Sequence, residues 1–324
     1  MISTGDREQF ETTTRTGLTR GEVVALAAQV RAAGAEASEA GKALAAALAH
    51  GAFVAPERTA GLYDHAAEGW FGGPVGGRAL EPVTIDAAPE PPGAEFWTAF
   101  WELVEDMGSG LDAGTVTMRT AGLGPLLSAN CGERLSLACL AFPGVREAAA
   151  HGPPGRFRLD DLAACPAGSL GHDFYSLIID NGFDLEVLDR EALGLSSLPS
   201  PHNYLNARIL QVHDLWHLVG GYRTTGLHEV AISGFQLGQF GHGYSAVFLA
   251  MALASTTLKA APYSALLFEI ILGAWVHGRQ TPCLLDAPWE EIWMEPIDQV
   301  RRHLGVEPYA SPVPADLFEQ ALAA

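Results

Sequence analysis

The 324-residue chain carries a formal charge of −19, which argues against nucleic-acid binding because that function needs clustered Lys and Arg. Only Lys42 and Lys259 are lysines, and the arginines are scattered along the chain. The same acidity opposes broad electrostatic docking on anionic lipid, although an apolar patch is compatible with local membrane contact. The four cysteines form no CxxC pair and no group with histidine, so they predict free thiols in a reducing cytoplasm.

The N-terminal segment and the apolar runs both predict a cytoplasmic protein. Residues 1–17 are polar and lack the basic and apolar regions of a secretory signal. The longest apolar runs, 246–254 and 265–271, are shorter than the roughly 20 residues that cross a bilayer. We therefore expect a cytoplasmic chain, with peripheral contact at the inner face of the membrane as a further candidate.

Residues 1–94 predict an N-terminal helical extension that ends in a linker. Residues 1–18 show no amphipathic pattern and are expected to be mobile. Thr19-Arg-Gly-Glu22 is a capping box that opens a first helix, and an alanine-rich helix ending near His50 would complete a hairpin. Gly and Pro then dominate residues 51–93, which is typical of a linker.

Helical periodicity resumes near residue 95 and predicts a main domain, 95–310, followed by a C-terminal tail, 311–324. Aromatic and aliphatic residues recur at helical spacing from Phe96 to Met107. Two strongly apolar helices, 244–259 and 264–278, belong in a core or around an apolar cavity. No series of alternating strands is evident. The predicted fold is all-α, a compact multi-helix domain with an N-terminal helical extension.

A histidine–aspartate pair, His172 and Asp173, follows Ser169 in the middle of the chain. Ser169 is a good N-cap, and the aspartate suits the first turn of a helix. Because no further histidine follows at ligand spacing, the pattern favours a capped helix start over a metal site.

The stretch from Ser200 to Glu229 contains the strongest candidate for a functional site. A proline near its start and two glycines after it bracket a helix of about five turns. On this helix His213 and His217 lie one turn apart at the edge of the apolar stripe, so both should face inward. That spacing allows two imidazoles to bind one metal ion from a single helix face.

Two carboxylates extend this pattern. Asp214 points about 100° further round the helix, so it is a ligand only if the ion lies toward that side, and otherwise a supporting or surface group. Glu229 follows the glycine turn, and from there it can fold back over the histidine pair. Such an N2O2 set suits Zn, or Fe(II) or Mn(II) with open positions. Two unrelated histidines on one helix are the alternative.

Two further polar residues are candidates for orienting the ligands. His228 precedes Glu229, and Gln236 lies two turns further along the next predicted helix. Side chains in such places often hold metal ligands by hydrogen bonds. The alternative for both is an ordinary exposed or capping residue.

The spacing His213-Asp214-x-x-His217-x11-Glu229 resembles the motif of the fourth coenzyme Q biosynthesis protein family, described as ubiquinone C1-hydroxydecarboxylase. The similarity covers about residues 95–308, and the first ninety or so residues have no counterpart in it. Outside the motif it is carried by Pro166–Gly171, Tyr175, Gly182, Phe183, Gly220 or Gly221, Phe235, Trp275, Gly278, Trp289, Glu290, Pro296, Arg301, Leu304 and Gly305.

The resemblance implies an all-helical fold in which a divalent metal, Zn or Fe(II), lies beside an apolar cavity for a prenyl chain. Its ligands, which are also the catalytic residues, would be His213, Asp214, His217 and Glu229. The implied reaction is oxidative decarboxylation at C1 of a prenylated aromatic acid in ubiquinone biosynthesis, with O2 as a candidate co-substrate. The implied partners are that prenylated aromatic small molecule, other quinone-biosynthesis proteins and a second copy of the chain.

Two other functions fit part of the same pattern. A non-catalytic, prenyl-lipid-binding scaffold of a quinone-biosynthesis complex would use the metal as a structural element. An HD-type metallohydrolase shares the adjacent His and Asp, but the upstream His and downstream Asp of that class have no assignable counterpart in this chain.

Overall fold

The computed structural model describes residues 2–320 except 87, 153, 187, 188, 192, 193, 199 and 318. The described residues form helices and no β-strand, apart from an isolated bridge between Ser169 and Pro296. The predicted all-α fold is confirmed for this part of the chain. None of its helices is both long and apolar enough to cross a membrane.

Fifteen α-helices follow one another in the described residues. They are α1 (Thr4–Thr16), α2 (Arg20–Ala33), α3 (Ser38–Phe53), α4 (Thr59–Phe71), α5 (Ala94–Asp106), α6 (Ala113–Ala121), α7 (Ala129–Cys139), α8 (Val145–Ala149), α9 (Leu159–Ala163), α10 (Leu170–Asn181), α11 (His202–Gly220), α12 (Gly226–Phe240), α13 (Gly243–Lys259), α14 (Ser264–Gln280) and α15 (Ile297–Leu304). Six short 3-10 turns lie between them, at Gly34–Glu36, Pro56–Arg58, Gly124–Leu126, Leu195–Ser197, Ala261–Tyr263 and Trp289–Glu291.

The chain divides into two compact units that alternate along the sequence. The first takes the described residues of 1–77, 82–138 and 233–279, and the second takes those of 78–81, 139–232 and 280–324. The predicted domain boundaries, 1–94, 95–310 and 311–324, are not tested by this division and stay predictions. Part of the predicted tail, residues 318 and 321–324, lies outside the described residues.

The first eighteen residues contain a helix, so their predicted mobility is wrong. Ser3 caps α1 by accepting a hydrogen bond from the Asp6 amide at 3.1 Å. Phe10 is only 2% exposed, and its ring packs edge-on against Trp101 of α5 at 5.5 Å between centroids. Burying one such ring contributes about 1.5–3 kcal/mol. A single aromatic anchor in a polar helix produces no amphipathic pattern, which is why the sequence signal was missed.

Part of the predicted linker 51–93 is also helical. Two of its glycines lie inside helices, where they allow close packing and do not end the helix. A Cβ at Gly51, inside α3, would lie 2.7 Å from Thr59 Oγ1. A Cβ at Gly69, inside α4, would collide with the carbonyl of Val24 in α2. The capping box at the start of α2 and the hairpin that α2 forms with α3 are confirmed.

The two apolar helices α13 and α14 form much of the core of the first unit, as predicted. The N-terminal helices pack on them: Tyr63 lies 5.0 Å from Trp275 between ring centroids, and Trp70 lies 6.1 Å from Phe268. The indole N–H of Trp70 donates to the carboxylate of Glu269. The extension is therefore part of the packing of this unit.

Helices α12 and α14 approach each other through glycines within the first unit. A Cβ at Gly234 would lie 2.9 Å from the Ile271 carbonyl oxygen, and one at Gly238 would lie 2.6 Å from that of Trp275. Gly278 faces back, where a Cβ would overlap the carbonyl of Phe235. Gly234 and Gly238 thus allow α12 to pack closely on α14.

His50 is buried in the first unit and should make stability depend on pH. Its Nδ1 donates to the Thr14 carbonyl at 2.8 Å, because its Nε2, 3.1 Å from Arg58 Nη1, must accept from that guanidinium. Burial, helped by the Arg58 charge and opposed by the Thr14 bond, lowers the pKa of His50 below its ordinary value. The unfolded chain therefore takes up the proton more readily than the folded one.

The pKa of histidine in an unfolded chain is about 6.5. We expect His50 to contribute its full share to the free energy of unfolding above this pH, and the free energy of unfolding to fall as the pH drops below it. Urea denaturation at about pH 7.5 and pH 5.5 should show a smaller loss for His50→Gln than for the wild type. His303→Gln, at an exposed histidine, is the control and should keep the wild-type dependence. Equal losses in wild type and His50→Gln would contradict this assignment.

Candidate metal centre

Helix α11 carries both predicted histidine ligands on its packed side. It runs from His202 to Gly220. Gly221 caps its end, because a left-handed backbone (φ 77°) lets the Gly221 amide donate to the His217 carbonyl. The neighbouring stripe residues Val212 and Trp216 are fully buried. His217 exposes 1% of its side chain and His213 exposes 20%, so both imidazoles face inward as predicted.

Donor atoms of His213, His217 and Glu229 lie at the spacing of ligands around one ion. The two imidazole Nε2 atoms are 3.2 Å apart. Glu229 Oε1 lies 3.3 Å from His217 Nε2, and Glu229 Oε2 lies 3.4 Å from His213 Nε2. Tetrahedral ligands at about 2.0–2.2 Å from a Zn ion would be separated by about 3.3–3.6 Å. The predicted fold-back of Glu229 over the histidine pair is present.

Asp214 is buried beside the two histidines, which excludes the surface alternative. One of its carboxylate oxygens lies within 4.8 Å of ligand nitrogens of His213 and His217. Burial raises the pKa of Asp214, while the charges of the two histidines oppose that rise. Its direct binding to an ion stays a prediction.

The electrostatics of the cluster favour a cation. Burial alone would raise the pKa of Glu229, but hydrogen bonds to His213 and His217, with their charges, lower it far below its ordinary value. Burial opposes a charge on His213, yet the Glu229 carboxylate raises its pKa above the ordinary value. The cluster therefore attracts positive charge, and its two imidazoles and two carboxylates fit a divalent ion.

His228 is buried at the start of α12, so it is not an ordinary exposed residue. Its Nδ1 accepts a hydrogen bond from the Arg223 amide at 2.9 Å, which leaves the proton on Nε2. Burial lowers its pKa, with a further contribution from the charge of His217. Its ring lies edge-on to Tyr222 and Tyr309, at 6.0 and 5.8 Å between centroids. His228 thus supports the turn before Glu229, and its effect on the ligands stays a prediction.

Gln236 belongs to the first unit, where it is 3% exposed. Its Oε1 accepts a hydrogen bond from the Ser245 hydroxyl at 3.2 Å. The exposed alternative is therefore wrong for Gln236, because the residue joins a polar pair between α12 and α13. Its predicted role in orienting the metal ligands stays a prediction.

The second histidine–aspartate pair forms a helix start, as predicted. Ser169 Oγ accepts a hydrogen bond from the His172 amide at 3.4 Å and caps α10. Among the described residues, His213, Asp214 and His217 form a group of possible ligands whose atoms lie within 4.8 Å of one another, and His172 and Asp173 are not part of it.

Tyr309 contributes to this region and was missed by sequence reasoning. It follows α15 and stacks on Tyr222 at 4.7 Å between ring centroids, with the rings 17° from parallel. An aromatic residue after Pro308, in a mostly polar segment, was the only local signal. Its contact with a turn almost ninety residues earlier cannot be read from helical periodicity.

Residues 155–310 match the profile of the family described as coenzyme Q (ubiquinone) biosynthesis protein Coq4. These residues, just under half of the chain, are similar to the Coq4 family. The match contains all four candidate ligands. It begins at residue 155, whereas the sequence resemblance was predicted to begin at about residue 95. It ends close to the predicted limit of 308.

Curated relatives agree with this Coq4 assignment. The mitochondrial ubiquinone biosynthesis protein COQ4 homologue of Rattus norvegicus is 28% identical over 156 residues, or 46% of this chain and 55% of the relative. The mitochondrial COQ4 protein of Eremothecium gossypii is 29% identical over 160 residues, or 49% of this chain and 46% of the relative. The chain thus spans about half the length of the curated relatives that it matches.

A solved structure supports the fold of the Coq4 region. The crystal structure of a protein from Nostoc punctiforme PCC 73102, assigned to ubiquinone biosynthesis, superposes with a TM-score of 0.51 at 21% identity. The superposition covers 65% of this chain and 97% of the other. This likeness concerns the fold alone.

Proposed function

We propose that the Coq4 region of this chain catalyses a metal-dependent oxidative decarboxylation in ubiquinone biosynthesis. The carboxylate at C1 of a prenylated aromatic acid would leave as CO2 and be replaced by a hydroxyl group. O2 would accept the two electrons and be reduced to hydrogen peroxide, with one water molecule completing the balance. The observation that carries this proposal is the triangle of donor atoms from His213, His217 and Glu229, with edges of 3.2, 3.3 and 3.4 Å.

His213, His217, Glu229 and Asp214 would hold the ion, Zn or Fe(II). When bound, the ion supplies a Lewis acid that binds the substrate carboxylate and stabilises negative charge as CO2 is lost. Glu229 exposes 43% of its side chain, whereas His217 exposes 1%. The substrate would therefore approach from the side of Glu229 and His213, while α11 keeps water away behind His217.

We further propose that the reaction takes place at the cytoplasmic face of a membrane, because a long prenyl tail partitions into lipid. The chain would meet other quinone-biosynthesis proteins there. The apolar cavity beside the metal stays part of this proposal. Two cavities of the first unit, of about 270 and 120 Å³, are lined by other residues, such as Arg7 and Arg58.

The decisive experiment measures bound metal and turnover on the same preparation. The purified chain is analysed for Zn and Fe, then incubated under air with a short-chain prenylated 4-hydroxybenzoate while CO2 and product mass are followed. We expect CO2 release with a hydroxylated product, lost after chelation and restored by added metal. No turnover, together with prenyl-lipid binding that survives chelation, would contradict the enzyme and favour the scaffold.

A further inference from the structure

The distance between Glu229 and the histidine pair depends on a short turn in the second unit. Residues 221–225 join α11 to α12, and Glu229 lies in the first turn of α12, where its amide bonds the Thr225 carbonyl at 2.9 Å. A shift of this turn would therefore move the Glu229 carboxylate away from both imidazoles. The contacts that hold the turn decide whether the three donor atoms stay together.

Arg301 of α15 and residues that follow this helix hold the α11 side of the turn. Arg301, in α15, donates from its guanidinium to the carbonyls of Leu218 and Val219 at 2.8 and 3.0 Å. The Tyr309 amide donates to the Gly220 carbonyl at 2.8 Å. Gly221 leaves no room for a side chain, since a Cβ there would lie 2.9 Å from Pro308 Cβ.

The same segment holds the α12 side of the turn. Thr225 Oγ1 donates to the Ala315 carbonyl at 2.6 Å. The first amide of α12, that of Gly226, donates to Glu319 Oε1 at 2.9 Å. A carboxylate at this point satisfies an amide that has no partner within the helix and suits the positive end of the helix dipole.

An aromatic stack fills the space between these two attachment points. Tyr309 lies against Tyr222, which is 4% exposed, and both rings lie edge-on to His228. His228 precedes the candidate ligand Glu229 directly. The stack thus connects the segment after α15 to the first turn of α12.

We propose that the described residues of 306–320 form a C-terminal strap that positions Glu229 for metal binding. Tyr309 and Glu319 are its positioning residues. The Tyr309 ring stacks on Tyr222 in the 221–225 turn, and the Glu319 carboxylate accepts a hydrogen bond from the Gly226 amide directly after the turn. The strap's outer part, from residue 311, lies beyond the residues that match the family profile, 155–310. This inference rests on the proposed metal site and adds residues that would determine its affinity.

The test compares metal affinity among strap variants of the full chain. Affinities for Zn²⁺ and Co²⁺ are measured by competition with a chromophoric chelator, and the visible spectrum of bound Co²⁺ reports its coordination. We expect Tyr309→Ala and Glu319→Ala each to weaken binding about tenfold, as for other groups that orient metal ligands, and to alter the Co²⁺ spectrum. Glu319→Gln should stay within about threefold of wild type, because its amide oxygen still accepts from Gly226.

The matched control is Glu291→Ala, which removes an exposed glutamate from the same unit and should bind metal like wild type. Wild-type affinity and spectrum in both alanine variants would overturn the strap and leave the metal site standing. A wild-type chain that binds neither ion would overturn the metal site and, with it, the role of the strap.

A second measurement covers the case in which an alanine variant does not fold. In the wild-type chain, metal binding should slow hydrogen exchange at the amides of Gly226 and Tyr309, because coupling between site and strap acts in both directions. Unchanged exchange at both amides upon saturation with metal would overturn the proposal.

Discussion

Replacing His217 with alanine is expected to weaken divalent-metal binding by roughly a hundredfold or more and to abolish turnover. The four ligands of a structural zinc site together provide a metal-binding free energy of about 10–16 kcal/mol, so the loss of one ligand removes a large part of it. His217 Nε2 lies 3.2 Å from His213 Nε2 and 3.3 Å from Glu229 Oε1, so one ion could be bound by all three donor atoms. Its removal leaves His213 and Glu229 without their buried partner.

Metal content, metal affinity and CO2 release provide the measurements for this ligand variant. Glu229→Gln is a second variant, because it keeps the size of a half-exposed side chain and removes only the charge. The control is His172→Ala, at a partly exposed histidine of the same unit, which should behave like wild type. A His217→Ala protein that is folded and retains wild-type metal affinity would refute the assignment of this cluster as the metal centre.

Replacing Gly278 with alanine is expected to lower the free energy of unfolding by about 1–3 kcal/mol. The new Cβ would overlap the carbonyl of Phe235, so α12 and α14 would have to separate or distort. The gain in helix propensity from Gly to Ala, up to about 1 kcal/mol, only partly offsets this strain. The effect arises from backbone contact, so no flexible side chain can relieve it.

Urea denaturation of Gly278→Ala beside Gly132→Ala tests this packing contact. Gly132 lies in α7, where an added Cβ would meet no atom within 4 Å. Gly132→Ala should therefore be neutral or stabilising by up to about 1 kcal/mol. Equal stabilities for the two variants would show that α12 and α14 do not need the glycine.

Local periodicity was sufficient to predict the helical part of the site. The positions of His213 and His217 follow from 3.6 residues per turn and the neighbouring apolar stripe, and the structure buries both as expected. The burial of Asp214 was undecided in the sequence because a helix angle does not reveal what packs on that side. The all-α class followed in the same way from helix spacing and the absence of alternating strands.

Contacts between distant segments were beyond the reach of these patterns. The fold-back of Glu229 depends on a turn that Tyr309 and Glu319 hold from far along the chain. Gly69 was assigned to the linker, although it permits α2 and α4 to touch. Phe10 shows the same limit, since its burial requires Trp101 as a partner. In each case the deciding neighbour lies outside the local window.

The unequal exposure of the ligands has a consequence for how quickly metal would exchange. The Glu229 side chain is 43% exposed to solvent, whereas that of His217 is 1% exposed. Of the residues that would hold the ion, Glu229 would therefore be more accessible than His217 to water and to small molecules. We therefore expect a small chelator to displace Glu229 first and the remaining ligands afterwards, so that metal exchange begins at Glu229 and needs no global unfolding.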